Sequence, residues 1–102
     1  MLIQQGDVLF KKVSVIPNDA KVIKRQNRGY VLAEGEVTGH AHVIKSGVKL
    51  YESNNIKYLK NDNSVEVNHE EHHAVNIPEG VWEINIVKEY DHFAEEAKNV
   101  RD

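Results

Sequence analysis

β-Branched residues dominate the apolar content of this chain, and this bias constrains its fold more than any other feature. Valine and isoleucine together number 22, whereas leucine, alanine and methionine together number 12. Side chains branched at Cβ are restricted in a helix and pack well on the pleated surface of a strand. Turn-forming Gly, Asn and Ser residues separate the apolar segments. The sequence therefore predicts an all-β fold of about eight short strands, either a small barrel or a sandwich.

Alternation of apolar and polar residues marks where the core strands lie. In residues 81–90, Trp82, Ile84 and Ile86 share one strand face, and Tyr90 continues it. We expect that face to be buried. Residues 65–67 show the same pattern, and residues 7–16 form a longer strand that Lys11 and Lys12 are expected to interrupt.

A short helix is expected at the end of the chain, over residues 91–100. Asp91 is a suitable N-cap, and Phe93, Ala97 and Val100 recur at helical spacing. At 102 residues, the chain is long enough for one domain, which we assign to residues 1–102.

The lack of cysteine excludes a disulfide scaffold and a cysteine-based zinc site. No apolar run reaches the roughly 20 residues that a membrane helix needs, and the first ten residues do not read as a signal peptide. We therefore expect a cytoplasmic protein with no membrane partner.

Charge is distributed unevenly about a net charge of −3. Residues 1–60 contain ten Lys or Arg and five Asp or Glu, whereas residues 61–102 contain three and eleven. Opposite faces of this kind can meet in neighbouring copies, which favours a homo-oligomer; the alternative is two solvated surfaces. The candidate basic face consists of Lys11, Lys12, Lys21, Lys24, Arg25 and Arg28.

His40 and His42 form the first candidate site, directly after Gly39. In a strand, residues two apart share a face with Cβ atoms about 7 Å apart, so both rings can reach one ion. Ile44 continues that face into the expected core. The alternative is a pair of exposed histidines at a strand start.

The second group, residues 69–73, reads His-Glu-Glu-His-His. His69 shares strand parity with Val65 and Val67, so it should face the core, where His72 or His73 could complete a set of three or four nitrogen ligands. The alternative is a solvated turn. Residues 69–73 also match the zincin motif H-E-x-x-H. We discount this match because the zincin motif lies on a helix, whereas the residues just before 69 have the alternation of a β-strand.

Three glutamates are candidate catalytic groups or carboxylate ligands. Glu34 and Glu36 precede the first histidine pair in a glycine-containing loop, and Glu70 lies within the second group. Each could act as a general base or orient a ring, although a polar hairpin turn is the alternative for the loop. Imidazole ligands suit a divalent transition metal such as Zn, Ni or Fe, and carboxylates favour Mn or Fe; the pattern does not choose among them.

Residues 32–42 and 69–72, together with residues 78–80 and 89–91, resemble a group of small uncharacterised bacterial and phage proteins over most of the chain. There is also a partial resemblance to the cupin superfamily, carried by His40, His42 and the Pro-x-Gly turn at Pro78. Cupins are β-barrels that hold a metal with His-x-His and a later His. Here no Glu follows His42 at the cupin spacing, and the later histidines precede Pro78 instead of following it.

Three functions remain open. The first is a metal-binding β-barrel, cupin-like in outline, that acts as a hydrolase or oxygenase on a small molecule. The second is a metal-independent phosphodiesterase or ribonuclease acting on a nucleotide or nucleic acid. In it, His40 and His72 exchange protons, and the phosphate is held by Lys21, Lys24, Arg25 and Arg28. The third is a non-catalytic binding or adaptor protein of phage origin. Whether the protein is an enzyme depends on whether the two histidine groups are neighbours in space.

Overall fold

The computed structural model describes residues 1–35 and 37–87, and these residues form ten strands and no helix. The all-β prediction is confirmed, with two strands more than expected. The predicted helix at 91–100 lies outside the described residues. No helix in the described ranges has the length and apolarity needed to cross a membrane. The strands are β1 (Leu2–Gln5), β2 (Val8–Val13), β3 (Lys21–Ile23), β4 (Tyr30–Glu34), β5 (Ala41–Ile44), β6 (Val48–Ser53), β7 (Ile56–Asn61), β8 (Val65–Val67), β9 (Val75–Ile77) and β10 (Gly80–Ile86).

Six of these strands form one antiparallel sheet in the order β1-β2-β10-β7-β6-β3. β10 lies near its centre, between β2 and β7. β2 runs without a break through Lys11 and Lys12, so the predicted interruption is wrong. Lys11 pairs with Glu83 across the sheet, and the ammonium of Lys12 lies 5.7 Å from the centre of the Trp82 ring. Both lysines therefore have favourable neighbours within a continuous strand.

The remaining four strands form two hairpins, β4-β5 and β8-β9. An isolated antiparallel bridge joins them, with reciprocal backbone hydrogen bonds of 2.9 and 2.8 Å between Val43 and Asn68. The two hairpins thus lie side by side as a second layer over the six-stranded sheet.

The core fills the space between these two layers. Phe10, Leu59 and Trp82 enter it from the six-stranded sheet, and Leu32 and Ile77 enter it from the hairpins. Each of these side chains is at most 1% exposed. Burying a side chain of this size contributes about 1.5–3 kcal/mol, so the alternation along β10 and β7 fixes which face turns inward.

The end of β10 departs from the sequence prediction. Trp82 and Ile84 are buried as expected, but Ile86, on the same face, is 47% exposed. Ile86 lines a cavity, whereas Val8, its cross-strand partner on β2, is buried. Tyr90, expected to continue this face, lies outside the described residues.

Candidate functional site

A cavity of about 700 Å³ is lined by residues of both layers. The hairpin layer supplies the predicted histidines, and the six-stranded sheet supplies mainly apolar side chains. The turn between β1 and β2 closes one end with Gly6 and Asp7. The cavity therefore places the predicted site residues beside an apolar surface.

Four imidazoles from the two histidine groups lie together on the wall of this cavity. The ring centres of His42 and His69 are 4.4 Å apart, and those of His69 and His72 are 4.6 Å apart. His42 and His72 are separated by 6.1 Å, and His40 lies 5.9 Å from His69 with its ring perpendicular. The structure thus brings together residues that are about 30 positions apart in sequence.

The bridge between the two hairpins explains this convergence. Val43 follows His42 directly, and Asn68 precedes His69 directly. Because Val43 and Asn68 exchange backbone hydrogen bonds, the adjacent histidines are held side by side. His42 is 1% exposed and Ile44 is also buried, as their shared strand face predicts.

Gln5 fixes the orientation and tautomer of His42. Its amide nitrogen donates to the carbonyl oxygens of Val67, at 3.0 Å, and His73, at 2.9 Å. The amide oxygen of Gln5 must therefore be the atom that lies 2.8 Å from Nδ1 of His42, which makes that nitrogen the donor. In the neutral ring, Nε2 is then left as an acceptor.

That Nε2 atom lies 3.3 Å from Oδ1 of Asp7. Burial lowers the pKa of His42 from its ordinary value of 6.5, and charge repulsion from His69 acts in the same direction, whereas Asp7 opposes both effects. When His42 is neutral, two acceptor atoms face each other across this gap. Such a contact is favourable only if a proton or another cation lies between them.

Glu71 forms a second close approach between a carboxylate and an imidazole. Its Oε2 lies 3.2 Å from Nδ1 of His40, without the angles of a hydrogen bond, so Nδ1 is buried with no hydrogen-bond partner among the described residues. The backbone N–H of Glu71 donates to Nδ1 of His69 at 3.0 Å. Neutral His69 therefore carries its proton on Nε2, the opposite tautomer to that of His42.

Two glycines allow the histidine rings to approach the backbone closely. A Cβ atom at Gly6, where φ is +58°, would lie 2.5 Å from Nε2 of His72. A Cβ atom at Gly35 would lie 3.0 Å from Nε2 of His69. A side chain at Gly6 is opposed by the positive φ and by the His72 ring, and one at Gly35 would need His69 and His40 to shift by a few tenths of an ångström.

Four further residues were predicted for the site: Glu34, Glu36, Glu70 and His73. Glu70 is exposed and accepts a 2.9 Å hydrogen bond from the backbone N–H of Ala41, which lowers the pKa of its carboxyl group. Glu34 lines the cavity and lies 3.4 Å from the guanidinium of Arg28. Glu36 lies outside the described residues. His73 is exposed and is not among the described lining residues.

The basic residues that sequence analysis assigned to phosphate binding lie elsewhere. Arg25 donates to the carbonyl oxygens of Lys45 and Gln26, and Arg28 pairs with Glu34. None of the four basic residues proposed for this role is among the described lining residues of the cavity. The four are Lys21, Lys24, Arg25 and Arg28.

Sequence reasoning missed Gln5 and Asp7. Neither belongs to a motif, and both lie about 35 residues before the histidine they contact. The only local indication was Gly6, a turn residue between two β-patterned segments.

Within residues 1–35 and 37–87, no group of three or more His, Cys, Asp or Glu side chains has an arrangement that could hold a metal ion as it stands. The rings lie edge to face, tilted or stacked against one another. The segment 69–73 contains no helix, so it lacks the secondary structure that the zincin motif needs.

A family model described as a domain of unknown function (DUF8820) matches residues 4–87. Comparison with curated proteins and with solved structures finds no match in either set. The partial resemblance to cupins receives no support from these comparisons.

Proposed function

Since this chain belongs to the DUF8820 family, we propose its function from its own site: the cavity binds one divalent transition metal. The ligands proposed are the imidazoles of His42, His69 and His72, with Asp7 as the carboxylate. The observation that carries the proposal is the 3.3 Å contact between Nε2 of His42 and Oδ1 of Asp7, two acceptors that need a cation between them.

The spacing of the rings supports this assignment. Imidazole nitrogens bind zinc at about 2.0–2.1 Å, so the ring centres of two ligands on one tetrahedral ion lie roughly 5 Å apart. The separations among His42, His69 and His72 are 4.4, 4.6 and 6.1 Å, two of them below this value and the third above it. Gln5 supplies the outer hydrogen bond that histidine ligands usually make through their second nitrogen.

Metal binding at this site requires the rings to turn. Torsions about the Cβ–Cγ bond of histidine are broad, so a ring can rotate without a change of backbone. His69 would exchange its hydrogen bond from the Glu71 N–H for a metal bond, and that N–H belongs to an exposed residue that can turn to water. His72 is itself exposed.

The expected chemistry is hydrolysis or oxygen chemistry on a small molecule. With all four protein ligands bound, water would occupy a fifth position, and the metal would lower the pKa of that bound water. Imidazoles suit Zn²⁺, Ni²⁺ and Fe²⁺, and a carboxylate from Asp7 extends the choice to Mn²⁺.

Elemental analysis tests the proposal. Untagged protein is incubated separately with Zn²⁺, Ni²⁺, Mn²⁺ and Fe²⁺, desalted, and assayed for bound metal. We expect about one equivalent of at least one metal, and a loss of affinity of at least tenfold in His72→Ala and Asp7→Asn. His73→Ala is the matched control, because His73 is exposed and is not among the described lining residues. Absence of uptake, or an equal loss in the control, would refute the proposal.

Metal-independent acid–base chemistry is the second candidate. It is favoured by the two close histidine–carboxylate pairs, His40 with Glu71 and His42 with Asp7, in which a proton takes the place of the metal. It ranks second because the basic residues expected to hold phosphate are not among the described lining residues. Cleavage of RNA or a cyclic nucleotide in EDTA, lost in His40→Ala, would favour it over the metal site.

A further inference from the structure

Lys57 occupies a position on β7 where an apolar residue would be expected. It shares a strand face with the buried Leu59, and its cross-strand partners are Ile84 on β10, which is 5% exposed, and Glu52 on β6. Lys57 therefore faces the interior side of the six-stranded sheet. It lines the histidine cavity.

Apolar side chains accompany Lys57 on the cavity wall. Ile86 and Val37 are 47% and 48% exposed, and both line the cavity together with Val87. Large exposed aliphatic groups around a concavity of about 700 Å³ match the usual form of a small-molecule site. They indicate a ligand with a hydrocarbon part.

Among the described lining residues, Lys57 is the only Lys or Arg. The carboxylates of the cavity have other neighbours: Asp7 lies beside His42, Glu71 beside His40, and Glu34 beside Arg28. A single ammonium suits a carboxylate, whereas phosphate is usually held by several N–H donors or a bidentate Arg.

We infer that the cavity binds a small aliphatic carboxylate, with Lys57 holding the anionic group and Ile86 and Val37 contacting the hydrocarbon chain. This inference rests on the proposed metal site, because a bound divalent cation offsets the charge of the cavity carboxylates and so permits an anionic ligand. Lys57 acts in binding and specificity.

The test compares hexanoate with its uncharged isostere hexanamide, using chemical-shift titration of isotope-labelled protein. Zinc-loaded and EDTA-treated samples are titrated in parallel, and their metal content is measured separately. We expect zinc-loaded wild-type protein to bind hexanoate about tenfold more tightly than hexanamide. Lys57→Gln should remove that preference, and Lys57→Arg should retain most of it.

Lys60→Gln is the matched control, because Lys60 lies on the same strand, three residues on, and faces away from the core. Equal binding of the two probes by wild-type protein, absence of hexanoate binding, or an unchanged preference in Lys57→Gln would each overturn the inference. Failure to bind metal is a different result, because it refutes the proposed function and not the carboxylate site. The carboxylate site would still be supported if the EDTA-treated protein bound hexanoate and lost that binding in Lys57→Gln.

Discussion

Replacing Gln5 with leucine should both destabilise the protein and weaken its metal site. Gln5 is 2% exposed and makes three hydrogen bonds, to His42, Val67 and His73. Leucine fits the same space but leaves the Nδ1–H of His42 without this partner, in a residue that is 1% exposed. A buried unsatisfied polar group costs about 1–3 kcal/mol, and each lost neutral hydrogen bond about 1 kcal/mol. The variant should therefore lose about 3 kcal/mol of unfolding free energy.

Urea denaturation monitored by Trp82 fluorescence measures this loss. Gln4→Leu is the matched control, because Gln4 is exposed and, within residues 1–35 and 37–87, its side chain donates to the carbonyl oxygen of Gly6 alone. Its effect should stay within about 0.5 kcal/mol. Metal affinity should fall about tenfold or more in Gln5→Leu, since His42 is no longer held in the tautomer that presents Nε2. Stability within 0.5 kcal/mol of wild type would refute the argument that Gln5 holds the ring.

Three further predictions follow from the same structure. Gly6→Ala should lower the free energy of unfolding by about 2 kcal/mol, because of its positive φ and its contact with His72. Gly39→Ala should lose less in urea denaturation, since Gly39 has a positive φ but open space around it. Equal losses would show that the His72 contact is unimportant. The pKa of His42 is lowered in the folded state, so the unfolded chain binds more protons just below pH 6.5. In EDTA, the free energy of unfolding should therefore be level above pH 6.5 and fall as the pH drops from 6.5 towards the lowered pKa. A slope that is unchanged in His42→Gln would assign the effect to another group. Leu59→Ala, at a core position with 0% exposure, should cost about 3 kcal/mol by denaturation, and a loss below 1 kcal/mol would contradict the assigned core.

Much of the fold could be predicted because strand periodicity reports burial directly. The alternation in β10 correctly placed Trp82 and Ile84 in the core, and the excess of Val and Ile indicated the all-β class. Ile86 has the same pattern and yet is exposed, since periodicity identifies a face but not where the covering layer ends. A break in β2 was predicted at Lys12 because a lysine in a strand pattern has no visible partner in the local sequence. Its partner is Trp82, on a strand 70 residues away.

The site could be predicted only in part. The shared face of His40 and His42 follows from their spacing, and the structure places both on one cavity. Their closeness to His69 depends on the pairing of Val43 with Asn68, a contact between distant segments that local sequence does not specify. Gln5 and Asp7 join the histidines through the β1-β2 turn, and a lone Gln or Asp gives no pattern to recognise.

The single bridge between the two hairpins has a further consequence for how this site can vary. Side chains alternate between opposite sides of a strand, so adding one residue between Val43 and His42, or between Asn68 and His69, would turn an imidazole away from its partners. Length changes in the turns between residues 44 and 65 carry no such penalty for the rings. Relatives that preserve the chemistry should therefore keep these two one-residue intervals while differing in the lengths of the turns that separate them.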